Sequence, residues 1–147
     1  MRKTLAIAAL AAATTMLAAS HASAFELPTA EQTYQDIEAT LGVVPSHVKA
    51  YPKSAVGGAW AMTKGLLFDE DNALEPKVKS LINLAVAAQI PCGYCIWLET
   101  KMARVQGATD EEISEAVAQA AYVRHWSTVI NGMQIDFETF KTEFGGD

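Results

Sequence analysis

The two cysteines of this 147-residue chain, Cys92 and Cys95, stand in Pro91-Cys92-Gly93-Tyr94-Cys95, directly after a long apolar segment, Leu81 to Ile90. Residues i and i+3 share one face of a helix, so the two sulfurs can meet as a short disulfide. Pro91 can close one helix and suits the first turn of the next. Both sulfurs then stand near the positive end of a helix, where unpaired N–H groups and the dipole stabilise a thiolate. This combination predicts a redox-active dithiol. Two other readings compete with it. A structural bridge over so short a loop restricts the unfolded chain little and stabilises weakly. A metal site usually needs four ligands, and a second cysteine pair is missing. The sequence therefore predicts no metal and no cofactor.

Thiol chemistry needs a group to move protons. Glu99 lies four residues past Cys95 and seven past Cys92, which puts all three on one helix face. A carboxylate there can take a proton from a thiol, although its charge opposes thiolate formation. As a plain surface residue it would instead pair with Lys101 or Arg104. His125, in Tyr122-Val123-Arg124-His125-Trp126-Ser127, is the second candidate, since histidine carries protons near neutral pH. Its bland reading is a half-buried residue packed between aromatics. His47 reads as a surface residue, and Tyr94 and Trp97 as packing around the site.

The segments that hold these residues read as helices. Thr29-Ala30-Glu31-Gln32 is a capping-box start, with Tyr34, Ile37 and Leu41 on one face and Gly42 as the stop. Ser46 caps a short turn through Tyr51, and Lys53 to Leu67 forms the next main helix. There Gly57 and Gly58 either weaken the helix or allow a close approach. Asp69 to Asn72 is a polar break. Glu75-Pro76 opens a helix through Ile90 that is apolar on most sides and so should be buried on most sides. The dithiol helix runs from Cys92 to Val105 and stops at Gly107. Thr109-Asp110-Glu111-Glu112 caps a helix reaching Val129 before Asn131-Gly132, and a last helix spans Gln134 to Phe144. No strand alternation or repeat is present. The predicted class is all-α.

The ends and the charge narrow the setting. Arg2 and Lys3 precede an apolar run, Leu5 to Ala19, and then Ala22-Ser23-Ala24, a small-x-small cleavage signature. That run is short for a membrane anchor of about 20 residues. Residues 1–24 are expected to be a cleaved export signal, and residues 25–147 one helical domain that works in the periplasm or as a secreted protein. The whole chain carries a formal charge of −6. Without residues 1–24, nine Lys and Arg face 17 Asp and Glu. An acidic chain without a basic stripe excludes nucleic acid and anionic membrane as expected partners. Export also favours an oxidised resting pair.

A buried helix leading into Cys92-Gly93-Tyr94-Cys95, then Gly107-Ala108-Thr109-Asp110-Glu111-Glu112-Ile113 and an alanine-rich helix, resembles the carboxymuconolactone decarboxylase / alkylhydroperoxidase D-like family. The likeness runs from about Leu74 to Met133. It implies an all-helical domain that assembles as trimers or hexamers. In the alkylhydroperoxidase branch it implies a thiol peroxidase whose two cysteines cycle between dithiol and disulfide. The chain departs from that branch's pattern at three positions. Glu99 stands where the branch has a histidine, Tyr94 where it often has another, and Ser80 where it has a glutamate. The resemblance thus carries over both cysteines but not the proton relay. Glu99 and His125 are the candidates for a rebuilt one.

The leading expectation is an exported thiol-dependent oxidoreductase that reduces peroxides or exchanges disulfides, with Cys92, Cys95, Glu99 and His125 as its site. Its expected partners are a small peroxide or disulfide substrate, a thiol reductant and further copies of itself. The alternatives are a non-catalytic oligomeric binding module with a vestigial disulfide, and a carboxymuconolactone decarboxylase-like enzyme.

Overall fold

The computed structural model describes residues 26–146, in which seven helices and no strands are found. The expected export signal, residues 1–24, and its cleavage point before Phe25 lie outside the described residues. Helix α1 spans Ala30–Leu41, α2 Ser46–Ala50, α3 Val56–Leu67 and α4 Pro76–Gln89. Helix α5 spans Gly93–Val105, α6 Asp110–Gly132 and α7 Phe137–Glu143. Among the described residues no helix is long and apolar enough to cross a membrane.

Local signals set most boundaries. Thr29 and Thr109 each close a reciprocal capping box, with Gln32 and Glu112 respectively. Several ends differ from the sequence reading, α6 among them, since it runs past Val129 and through Asn131 to Gly132. Ser46 is the first residue of α2 and caps nothing, because Pro45 occupies the cap position. Helix α3 starts at Val56, since Pro52 to Ala55 form a turn ahead of it. Helix α7 starts at Phe137 because the Asp136 side chain accepts the Thr139 N–H at 2.8 Å.

Helices α1 and α3 pack as one pair. Ile37 and Thr33 are buried against Val56, Gly57 and Trp60. Asp36 locks the pair, accepting Trp60 Nε1–H at 2.7 Å and Lys64 Nζ at 3.0 Å. Gly57 is required here, because a Cβ would stand 2.6 Å from the Pro28 carbonyl oxygen.

Helices α4, α5 and α6 form the second group and carry the cysteines. Its core is Leu84, Ala103 and Ile113, one residue from each helix, with Leu81, Ile96 and Ala108 packed around them. The α5–α6 turn is tied by two bonds. Ala108 N–H reaches Ala103 O at 2.9 Å and Gly107 N–H reaches Arg104 O at 3.0 Å, with Gly107 at φ 83°. This Schellman arrangement needs a left-handed residue, which glycine supplies without strain. The Lys77–Glu112 pair, 2.8 Å, joins the starts of α4 and α6.

Helix α4 corrects one expectation. Only Ser80, Leu84 and Ala87 are buried, whereas Val78, Ile82, Val86 and Ile90 are 37, 47, 54 and 62% exposed. Among the described residues its main neighbours are α5 and α6, and they leave these four side chains partly open to solvent.

Candidate functional site

The dithiol is positioned by the junction between α4 and α5. Ile90 N–H closes the last turn of α4 on Val86 O, and Cys92 N–H bonds back to Ala87 O at 3.1 Å. Cys92 is thereby fixed as the N-cap of α5, in an extended conformation. Its carbonyl accepts Ile96 N–H at 2.9 Å, and its sulfur accepts Cys95 N–H at 3.3 Å. Sulfur occupies the place where a Ser or Asp oxygen usually satisfies an orphan helix donor. Cys92 and Cys95 are joined as a disulfide, with their Cα atoms 5.3 Å apart, inside the usual range. Both are half-buried.

Glu99 lies one turn beyond Cys95 on the same face of α5, half-buried where that face meets α4. Burial pushes its carboxyl above the usual value of 4.5, and the Asn83 side chain of α4 partly offsets this by hydrogen bonding. The surface reading of Glu99 does not hold. Arg104 pairs with Asp110 at 2.9 Å, and Lys101 lies 5.4 Å over the Trp97 ring. A half-buried carboxyl of raised pKa beside a disulfide can give and take protons nearer neutral pH than a free glutamate can. Asn83 was not among the candidates. Its signal was an amide inside an otherwise apolar run, three residues after the buried Ser80.

The structure does not bring His125 into this group. It sits exposed on α6, its ring edge-on to Trp126 with centroids 5.2 Å apart. Among the described residues no hydrogen bond ties it to either cysteine or to Glu99. The half-buried reading of His125 is corrected too, since α6 meets α4 through Ala120 and Arg124 instead. His47 is exposed, as expected. Tyr94 and Trp97 do not pack around the site as expected: they are 92 and 66% exposed, because both fall on the outer side of α5.

Comparison with known proteins places this geometry. The chain is similar to the alkylhydroperoxidase AhpD core of Rhodospirillum rubrum, with 28% identity and a TM-score of 0.65 over 76% of this chain and 85% of that one. It is also 46% identical over 54 residues to "uncharacterized protein 4 in cox locus" of Paracoccus denitrificans, covering 37% of this chain. That match spans about half of the relative's length, 49%. Residues 55–136, more than half of the chain, match the model of one family, and they include α4, α5, the disulfide and all of α6. The chain belongs to the carboxymuconolactone decarboxylase family.

Proposed function

We propose that the protein is a thiol-dependent oxidoreductase of alkylhydroperoxidase-like type, with the Cys92–Cys95 pair as its redox centre. The observation that carries this reading is the Cys92 sulfur at the N-cap of α5, bonded to its partner and followed on the same face by a carboxyl of raised pKa. In the reduced protein one thiolate attacks a peroxide oxygen. The O–O bond breaks, the alkoxide leaves as an alcohol with a proton from Glu99, and the attacking cysteine becomes a sulfenic acid. The second thiol then displaces hydroxide, which takes up a proton as water, and the disulfide forms. An external dithiol returns the pair to the reduced state by two exchange steps and is itself oxidised to a disulfide.

The test is single-turnover oxidation. Reduced protein mixed with one equivalent of an alkyl hydroperoxide should lose two thiols and gain one disulfide far faster than in air alone. No acceleration over air would leave the pair as a structural bridge in a binding module. We also propose that residues 1–24 direct export and are removed, since Ala22-Ser23-Ala24 follows an apolar run. Intact mass of the exported protein should correspond to a start at Phe25; retention of residues 1–24 would overturn this.

A further inference from the structure

Arg124 is held where α6 passes the C-terminal end of α4. Its Nε–H donates to Gln89 Oε1 at 2.7 Å, and Gln89 Nε2 in turn donates to the Ala120 carbonyl at 2.8 Å. Among the described residues Arg124 forms no ion pair, whereas the other arginine there, Arg104, is paired with Asp110. With Nε occupied, the outer edge of the guanidinium keeps its remaining N–H donors, a fork that matches a carboxylate in two parallel bonds. The cation borders a groove of about 430 Å³, walled by Ala85, Val86 and Val123 and with Ser127 at its side. That volume suits a small molecule.

We infer that this groove is a binding site for a small organic carboxylate with a short apolar tail. Three features carry it. The cation is anchored by an amide, not an acid, so its charge is left for a ligand. The anchor chain from Ala120 O through Gln89 fixes the side chain beforehand, which lowers the ordering cost of binding. Ala85, Val86 and Val123 offer an apolar tail hydrophobic contact. The chain as a whole is acidic, so a general positive field does not draw anions to its surface. The inference stands apart from the redox reading, because binding is read without turnover.

Sodium hexanoate is the probe, titrated into the oxidised protein and followed by two-dimensional NMR, with 1-hexanol as the uncharged control. Saturable shifts at Ala85, Val123, Arg124 and Ser127 are expected with hexanoate, at a Kd of about 1 mM or tighter, and much weaker ones with hexanol. Arg124→Gln should weaken hexanoate binding about 10- to 100-fold, the scale of a charge-assisted hydrogen bond, with the molecular mass in solution unchanged. Absence of saturable shifts, or equal binding by the variant, overturns the inference. A changed mass for Arg124→Gln also overturns it, because the cation then serves a contact between copies of the chain.

Discussion

Cys95 donates its backbone N–H to the sulfur of Cys92 across a single helical turn, at 3.3 Å. The two sulfurs are therefore unequal. Cys92 stands at the N-cap and faces the orphan donors of α5, whereas Cys95 lies inside the first turn. Once the bond is reduced, the Cys92 thiolate should be the better stabilised one. Titration of the lone thiol in Cys95→Ser should give a pKa clearly below the free value of about 8.5, and the lone thiol in Cys92→Ser should titrate higher. The reverse order would make Cys95 the more acidic thiol.

Glu99 makes two linked predictions. Its carboxyl is raised above 4.5 by burial. A carboxyl raised in the folded state favours folding while protonated. That contribution is fully present below the unfolded value and is lost as pH rises through the folded one. Glu99→Gln has no such titration, so the variant should gain stability relative to the parent between about pH 4 and about pH 7. Urea denaturation of both proteins at the two pH values measures this, and an unchanged difference would contradict it. In peroxide turnover the same variant should be slower by roughly 10²–10⁴-fold, the scale of a lost general acid or base. A loss smaller than this would remove Glu99 from the proton relay.

Much of this site was legible in the residues. The Cys-x-x-Cys spacing, the proline before it and the carboxylate one turn later placed Cys92, Cys95 and Glu99 on one face, and the helix carries them there. The caps were equally plain, because Thr29 with Gln32 and Thr109 with Glu112 act within four residues. What was not legible lies between helices. Asn83 meets Glu99 only because α4 packs on α5, and a single sequence carries no interhelical register. His125 shows the same limit. Its flanking aromatics suggested a packed residue, but Ala120 and Arg124 determine which side of α6 meets α4 and leave the histidine outside. The apolar run of α4 was read correctly as pattern, yet pattern does not say which neighbour covers which side.

The scaffold that holds the dithiol should be sensitive at Leu84, which is 1% exposed and packs with Ala103 of α5 and Ile113 of α6. Leu84→Ala removes buried methyl groups and leaves a cavity, so a loss of about 2–5 kcal/mol is expected. Chemical denaturation measures it. A loss below about 1 kcal/mol would mean that the three-helix core collapses around the gap.

The exposed side of α4 supports assembly with further copies of the chain. Val78 and Ile82, one turn apart on α4, form a short apolar stripe, 37 and 47% exposed, while Val86 belongs to the wall of the Arg124 groove. Leaving such a stripe in water forgoes its hydrophobic stabilisation, and contiguous apolar surface of this kind marks association sites. A homo-oligomer covers it with the same stripe or its neighbour from another copy, in a closed arrangement. Light scattering at micromolar concentration should then give a multiple of the monomer mass. Ile82→Glu places a charge in the stripe, where burial in an interface would leave it unpaired, so the variant should shift toward monomer while keeping its helix content. Ile82 has no place in the Cys92–Cys95–Glu99 group, so single-turnover thiol oxidation should persist in the dissociated variant if each chain holds a complete site. A monomeric parent protein would overturn the assembly, and an Ile82→Glu variant of unchanged mass would place the contact on another face.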